Sequence, residues 1–304
     1  MDPVLSSDTN LLLVHNRYGT SLPFSVEMLA NSLLVTGIQP PDAYAIASRL
    51  GTSLRFEGHS EIESERVAAR AGDLLEALVG PAEAGRYRAW RRFRHLGRPL
   101  VLCLLGAPGV GKSSLATSLA ARLGIHRVVP TEAVREILRS VVGKNLLPEL
   151  HLPAHEAVTS PRDPFGNGFL RQAQAVSNAA IAVAERSVAE GRHVLLVGAH
   201  LVPGGMRQEL RQRGSPAVVV EMLLTLEDER LHRARLLRRV RSDPAMPGVR
   251  HLQHFSAVRA LQDKLVELAR SNGVVAHEVA TEKLLVEWIV DHTLAGAGLS
   301  PEAA

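Results

Sequence analysis

The segment GAPGVGKSS, Gly106–Ser114, constrains the fold of this 304-residue chain more than any other feature. It matches the Walker A pattern G-x-x-x-x-G-K-[ST], whose glycines let consecutive backbone N–H groups turn inward around a phosphate. An apolar stretch of strand length, Leu100–Leu105, runs directly into it, and an amphipathic helical pattern, Ser113–Leu123, follows. The N-terminus of that helix adds its positive dipole end. The sequence therefore predicts a strand, a phosphate loop and a helix that together bind a nucleoside triphosphate.

Two side chains of this loop have predicted chemical roles. Lys112 is a lysine in a chain whose basic residues are almost all Arg, and its compact charge suits the β- and γ-phosphates better than a planar guanidinium. We expect Lys112 to be catalytic and the Ser113 hydroxyl to coordinate Mg²⁺ beside ATP. The predicted nucleotide-binding residues are Gly106, Ala107, Pro108, Gly109, Val110, Gly111, Lys112, Ser113 and Ser114.

After Pro99, short apolar stretches alternate with longer helical patterns. Near-continuous apolar strands separated by helices are typical of a parallel sheet covered on both faces. We therefore expect an α/β fold of the P-loop NTPase type. The predicted strands are Leu100–Leu105, Val128-Val129, Val194–Val197, Val218–Leu224 and Val274-Val275. The predicted helices are Ser113–Leu123, Thr131–Val142, Phe169–Glu190, Glu227–Arg241 and His254–Ser271.

A break at Gly97-Arg98-Pro99 separates this part of the chain from the part before it. Two short extended pieces within residues 10–25 are followed there by helical patterns that Gly and Pro interrupt. We predict a small, mainly helical domain over residues 1–96 and a nucleotide-binding domain over residues 97–304. The four helical patterns of the smaller domain are Val26–Val35, Asp42–Leu54, Ser64–Val79 and Ala82–His95.

Composition excludes several classes of protein. A single cysteine, Cys103, excludes a disulfide framework and a Cys-based zinc cage. The first ten residues lack the features of a signal peptide, and no uncharged apolar run approaches the ~20 residues that cross a bilayer. The net charge of +4 is modest, and the basic stretch Arg86–Arg98 is interleaved with apolar residues. We expect a cytoplasmic protein without a nucleic-acid or membrane partner, and the number of chains that assemble stays open.

Several longer strings of the chain carry a further signal. They are Leu22-Pro23-Phe24-Ser25, Ala43–Ala47, GAPGVGKSS, Thr131-Glu132, Ala184–Gly204 with its HLVPG ending, and Leu223–Arg235. In these strings the chain resembles the archaeal 2-phosphoglycerate kinases, which carry an N-terminal ATP-cone-like domain before a P-loop kinase domain. The resemblance implies transfer of phosphate from Mg-ATP to the 3-hydroxyl of a small phosphorylated acceptor, 2-phosphoglycerate, which gives 2,3-bisphosphoglycerate.

Three residues outside the phosphate loop are candidate substrate ligands. Arg135 lies on the helix that opens at Thr131, and its bidentate fork suits a phosphate or a carboxylate, so we expect it to bind the acceptor and to be catalytic. Glu132 either holds Mg²⁺ or the acceptor hydroxyl, or only favours the helix N-terminus. His200 follows the predicted strand Val194–Val197, at the edge where open α/β sheets bind ligands.

A basic helical stretch after the fourth strand occupies the place where P-loop kinases carry a lid. One of its arginines could stabilise charge on the transferred phosphoryl group, or the stretch is a solvated helix face. Its members are Arg233, Arg235, Arg238, Arg239 and Arg241. His251 and His254, three residues apart, are weak evidence for a metal site.

The chain departs from the family pattern at two positions. Where the family has an acidic residue before Gly-x-His, this chain has Val197, so either Glu132 or another acid takes over the metal or phosphoryl transfer is impaired. Val26 stands where the family tends to have a basic residue after Pro-Phe-Ser, which puts nucleotide binding by the small domain in doubt.

Four functions therefore compete at the level of sequence. They are a 2-phosphoglycerate kinase, a P-loop kinase with another small acceptor, a nucleotide-binding regulatory protein with weak catalysis, and an arginine-rich NTPase that binds nucleic acid. The intact pair Lys112-Ser113 favours a kinase, whereas Val197 favours the regulatory protein. The modest net charge disfavours the nucleic-acid-binding protein.

Overall fold

The computed structural model of the chain divides into two compact units. One contains the residues up to His95 together with those from Val286 onward, and the other is Leu96–Leu285. The structure describes residues 11–16, 19–158, 167–242, 248–279 and 281–301. Among the helices of these ranges, none combines the length and apolar character needed to cross a bilayer.

The first unit combines a small sheet with helices. Strand β1 (Leu13–His15) pairs antiparallel with β2 (Ser21–Pro23) and parallel with β3 (Glu61–Glu63). The helices follow the four predicted patterns, whereas β3 is only three residues long and shows no pattern in the sequence. The ATP-cone-like character of this unit stays a prediction. The helices are α1 (Val26–Leu33), α2 (Pro40–Phe56), α3 (Ser64–Leu78) and α4 (Pro81–His95), with a 3-10 turn at Leu34–Thr36.

The second unit is built on a five-stranded parallel sheet in the order β5-β6-β4-β7-β8. Its strands are β4 (Leu100–Gly106), β5 (Arg127–Pro130), β6 (Val194–Gly198), β7 (Val218–Thr225) and β8 (Ala276–Glu278). Its helices are α5 (Lys112–Leu123), α6 (Thr131–Val141), α7 (Ala154–Val158), α8 (Asn167–Ala189), α9 (Gly205–Gln212), α10 (Glu229–Ser242), α11 (Gly248–Gln253) and α12 (Phe255–Ser271), and a 3-10 turn covers Pro148–His151. The last helix of the chain is α13 (Glu282–Gly296).

The central strand β4 shows why the sheet needs helices on both faces. Val101, Cys103 and Leu105 pack into a core with residues of α8, α9 and α12. Because side chains alternate along a strand, Leu102 and Leu104 point to the opposite face, and they are fully buried too. The predicted α/β class is therefore confirmed. The fifth strand begins two residues later than the predicted Val274-Val275, and the short helices α7, α9 and α11 have too few residues to give a clear helical period.

The C-terminal residues lie in a different unit from the one expected. Residues from Val286 belong to the first unit, whereas the sequence placed all of 97–304 in the nucleotide-binding domain. The reason is visible in helix α4, where the Nε atom of Arg86 lies 3.0 Å from Asp291 Oδ1 and its Nη1 atom lies 3.4 Å from Glu287 Oε1. Gly85 of the same helix also lies so close to Pro301 that a Cβ there would be 2.5 Å from the Pro301 carbonyl oxygen.

Candidate nucleotide and acceptor site

The phosphate loop depends on three glycines in the left-handed region of backbone space. Gly106, Gly109 and Gly111 have φ angles of 146°, 87° and 105°, which side chains with a Cβ rarely adopt. Gly106 also passes so near β7 that a Cβ there would lie 2.6 Å from the Leu224 carbonyl oxygen. Helix α5 begins at Lys112, directly after Gly111, so its N-terminus faces the space that the loop encloses. The structure thus has the strand, loop and helix that the sequence predicts.

The Lys112 side chain lies along the loop that carries it. Its Nζ atom donates a hydrogen bond to the Ala107 carbonyl oxygen at 2.7 Å. Removal from water, with the nearby positive charge of Arg239, lowers the pKa of Lys112 to about 7. A phosphate in the loop would favour the charged ammonium and raise this pKa again. The position therefore suits binding of an anion.

Two cavities open on the two sides of Lys112. The smaller, of about 480 Å³, is lined by residues 109–115 of the loop and helix α5 and by apolar side chains of Leu224, Val279 and Leu285. Arg235, Arg238 and Arg239 of helix α10 also line it. A phosphate loop beside an apolar wall and several arginines is a suitable site for the base and phosphates of a nucleotide. The side chain of Arg241 lies outside the described residues.

The larger cavity, of about 800 Å³, lies at the carboxyl ends of strands β4, β5 and β6. Lys112, Ser113 and Arg239 line both cavities, so the two spaces meet at the phosphate loop. The residues that the sequence predicts to bind the substrate, Glu132, Arg135 and His200, all line the larger cavity. An acceptor in the larger cavity and a nucleotide in the smaller one would therefore meet at Lys112.

Arg135 is bonded to several protein groups beside the larger cavity. The side chain is only 6 % exposed, and its Nε and Nη2 atoms donate to Glu132 Oε1 at 3.0 and 2.6 Å. Its Nη1 atom donates to the carbonyl oxygens of Leu150 and Leu152, and Nη2 also donates to Glu136. A guanidinium has five N–H donors, and these contacts occupy all of them. Each N–H group of Arg135 thus has an acceptor in the cavity wall, and its binding of the acceptor stays a prediction.

Glu132 is the carboxylate that Arg135 holds in place. Although burial raises the pKa of Glu132, the hydrogen bonds and the positive charge of Arg135 outweigh it and lower the pKa below its usual value. Glu132 is thus ionised near neutral pH and lines the larger cavity. It is available to a cation or to a hydroxyl group at that point.

His200 lies at the end of β6, where the sequence predicts it, and is 2 % exposed. Its Nδ1 atom is 3.0 Å from Thr131 Oγ1, and its Nε2 atom is 3.6 Å from Glu132 Oε2. A Cβ on Gly198 would overlap the Thr131 hydroxyl, so this contact requires glycine there. Within the described part of the chain, His200 Nε2 has no hydrogen-bond partner. Burial lowers the pKa of His200 to about 4, so the ring is neutral.

Helix α11 brings a further histidine, His251, to the cavity that His155 and His200 also line, and sequence reasoning missed this. His251 lines the larger cavity, and its buried Nδ1 atom also lacks a hydrogen-bond partner among the described residues. The ring of His155 contacts it edge-on, with centroids 5.0 Å apart. Burial lowers the pKa of His251 to about 4. Arg250, beside it, donates to Glu156 at 2.8 Å and lines the cavity too. In the sequence, the spacing of His251 and His254 is weak evidence for a metal site and does not place His251 in this cavity.

Val197 occupies the end of strand β6, between the phosphate loop and helix α6 in the wall of the larger cavity. Its register partner on β5 is Pro130, directly before Thr131, and its partner on β4 is Leu104. The side chain is 7 % exposed. An acidic side chain at this position would face the cavity, whereas this chain presents an apolar surface there.

Parts of the chain are similar to known families and solved structures. A family model described as an AAA domain matches residues 101–191. Solved structures with similar folds include a shikimate kinase from Acinetobacter baumannii, with a TM-score of 0.37, 18% identity and coverage of 68% of this chain and 97% of that one. A gluconokinase from Sinorhizobium meliloti has a TM-score of 0.35 and 20% identity, over 66% of this chain and 92% of that one.

Curated relatives match nearly the whole chain. A protein of Methanopyrus kandleri named 2-phosphoglycerate kinase is 34% identical over 285 residues, which are 90% of this chain and 86% of that protein. A protein of the same name from Methanocaldococcus jannaschii is 34% identical over 83% of this chain and 82% of its own length. The match spans both structural units and includes the phosphate loop. On this similarity, the chain belongs to the 2-phosphoglycerate kinase family.

Proposed function

We propose that this protein transfers the γ-phosphoryl group of ATP to the 3-hydroxyl of 2-phosphoglycerate. The observation that carries the proposal is the junction of two cavities at Lys112 and Ser113, one beside the phosphate loop and one at the ends of the neighbouring strands. Phosphoryl transfer needs mainly the in-line positioning of two reactants and neutralisation of charge between them. Relatives at 34% identity that carry the name 2-phosphoglycerate kinase support 2-phosphoglycerate as the acceptor.

The loop and helix α10 supply the positive charge for this transfer. Backbone N–H groups of the loop hold the β-phosphate, and Lys112 contacts the γ-phosphate. Arg239 lines both cavities and lowers the pKa of Lys112, so its charge lies close to the point where the phosphoryl group crosses. A fixed positive charge at that point stabilises the negative charge that develops in the transition state.

The residues present also fit a magnesium ion bound with ATP. Ser113 offers its hydroxyl where the two cavities meet, and Glu132 offers an ionised carboxylate in the larger one. Within the described residues, no group of three or more His, Cys, Asp and Glu side chains is arranged to hold a metal by itself, so most ligands would be phosphate oxygens and water. The ion supplies positive charge to the β- and γ-phosphates.

The acceptor is an anion with a phosphate and a carboxylate, and the larger cavity offers donors for both. His200 Nε2 and His251 Nδ1 are buried atoms in its wall that lack protein partners among the described residues. Arg250 adds a guanidinium. We assign His200 and His251 to the acceptor and Arg135 to the positioning of Glu132, since the donors of Arg135 are occupied.

A nucleotide-binding protein with weak catalysis is the second candidate, and Val197 is the observation that favours it. The carboxylate that the family pattern has at this point is absent, and the acids of the cavity wall that Arg135 contacts are Glu132 and Glu136, both on helix α6. Turnover with 2-phosphoglycerate separates the two candidates.

The replacement Lys112→Ala is expected to lower the 2-phosphoglycerate-dependent release of ADP from Mg-ATP by at least about a hundredfold, because it removes the charge at the junction of the cavities. ADP release is measured with and without 2-phosphoglycerate. Lys144→Ala removes an exposed lysine elsewhere in the same unit and is the matched control. Equal rates for wild type and Lys112→Ala would contradict the site. ATP binding by the wild type without any turnover would favour the second candidate.

The replacement Val197→Glu is expected to raise the rate several-fold when Mg²⁺ is limiting, because it adds a carboxylate in the cavity wall beside the phosphate loop. The rate is titrated against Mg²⁺ at saturating ATP. Val197→Gln has the same size without the charge and should leave the Mg²⁺ dependence unchanged. If both variants titrate like the wild type, another group already provides what the carboxylate would add.

The replacement Arg135→Lys is expected to lower the free energy of unfolding by about 1–3 kcal/mol, because a lysine cannot satisfy two carboxylates and two carbonyl oxygens. Arg139→Lys, four residues along the same helix, is the control, since Arg139 is half-exposed and pairs with Glu136 alone. Urea denaturation measures both. A large effect of Arg139→Lys and none of Arg135→Lys would refute the positioning role.

A further inference from the structure

Helix α10 is attached to the outer side of the phosphate loop by two side chains. His232 Nε2 lies 2.8 Å from the Pro108 carbonyl oxygen, and Arg235 Nη1 donates to the Val110 carbonyl oxygen at 3.0 Å. His232 and Arg235 are three residues apart and share one face of the helix. The two contacts reach carbonyl groups on either side of Gly109.

Those carbonyl groups need donors because of what the loop does on its other side. A loop that turns successive N–H groups inward around a phosphate turns carbonyl groups outward. A buried carbonyl without a hydrogen bond costs free energy, so an outward carbonyl must find water or a protein donor. At Pro108 that donor is the fully buried His232, which is 0 % exposed.

The proton on His232 can be assigned from its second contact. The Nδ1 atom lies 3.5 Å from Nη1 of Arg259, and a guanidinium can only donate. Nδ1 is therefore the acceptor, and Nε2 carries the proton that is donated to the Pro108 oxygen. Burial lowers the pKa of His232, which keeps the ring in this neutral form. Arg259 also donates to the carbonyl oxygens of Leu226 and Glu227, so the chain of contacts extends to the end of strand β7.

Gly109 shows how closely the helix approaches the loop. A Cβ at this position would lie 2.7 Å from Leu236 Cδ2 and 3.0 Å from His232 Nε2. The glycine thus serves two needs, the left-handed backbone of the loop and the space for helix α10. Arg239 lies seven residues after His232, two turns along the same face, where it lines both cavities.

We propose that His232 is a positioning residue of the nucleotide site, which holds the phosphate loop in its phosphate-receiving shape and fixes Arg239 at the junction of the cavities. The inference rests on the proposed nucleotide binding and deepens it. His232 contacts the loop from behind and touches neither reactant. Its effect should therefore depend on whether a ligand uses the loop.

Two replacements of His232 test this role, because they carry the same amide group on side chains of different length. His232→Gln places an amide N–H near the position of Nε2, whereas His232→Asn carries the same amide one methylene shorter and cannot reach the Pro108 oxygen. Binding of ADP and AMP is measured at equilibrium by calorimetry, without acceptor. We expect His232→Asn to weaken ADP binding by about tenfold to a hundredfold and His232→Gln to stay within about threefold of the wild type. AMP lacks the β-phosphate that the loop holds, so its affinity should change less.

A matched control distinguishes positioning from general destabilisation. Ser187→Ala removes the hydrogen bonds of another fully buried residue of the same unit, whose Oγ atom donates to the Val183 carbonyl oxygen at 2.8 Å and accepts from Arg127 Nη1 at 2.9 Å. This variant should unfold more easily and bind ADP like the wild type. Equal affinity of all variants for ADP, or equal losses for ADP and AMP, would overturn the role of His232 and leave the proposed reaction standing. A wild-type protein that binds no ADP would overturn both.

Discussion

The site depends on one constraint of the peptide backbone, which is that a loop cannot turn its N–H groups toward a ligand without turning carbonyl groups away from it. In this chain the outward carbonyls of Pro108 and Val110 are hydrogen-bonded by helix α10. The glycines at 106, 109 and 111 permit the backbone conformation of the loop. The side-chain donors of α10 then satisfy the carbonyl groups that this conformation turns outward. The phosphate loop is therefore a joint product of a motif near residue 110 and a helix that begins more than a hundred residues later.

Positive charge is concentrated where the two cavities meet. Lys112 is hydrogen-bonded to the loop, and burial together with the neighbouring Arg239 lowers its pKa. Two positive groups at one point repel each other until an anion lies between them, so their mutual repulsion favours binding of a phosphate. The junction of the cavities is thus set up for a group that carries negative charge from one side to the other.

The sequence predicts the parts of the molecule whose causes are local. The phosphate loop, the strands β4, β6 and β7, and the helices that follow β4 and β5 lie where residue patterns place them, because apolar runs and glycine spacing act within a few residues. The small domain's ATP-cone-like character and the class of acceptor are implied by the resemblance to a family, and no local pattern of residues predicts them. The first and last residues of such elements shift by a few positions, as at strand β8, which begins two residues and ends three residues later than predicted.

The features that the sequence does not predict depend on contacts between residues that lie far apart in the chain. The helix position of Arg135 predicts a ligand of the acceptor. Its hydrogen bonds to the carbonyl oxygens of Leu150 and Leu152 could not be predicted, because no sequence pattern links those residues to helix α6. The roles of His232 and His251 likewise depend on where helices α10 and α11 pack. The C-terminal residues join the first unit through ion pairs with Arg86, which compositional reasoning about the chain's second part cannot detect.

Val197 and Arg135 together determine which groups the wall of the larger cavity presents. Val197, at the end of β6, contributes an apolar side chain, while Arg135 donates hydrogen bonds to Glu132 and Glu136. A carboxylate that an arginine holds in place has a fixed position and a lowered pKa, and both properties suit a group that faces a cation. On the proposed function, a carboxylate that Arg135 holds on helix α6 serves the cavity in place of an acid at Val197.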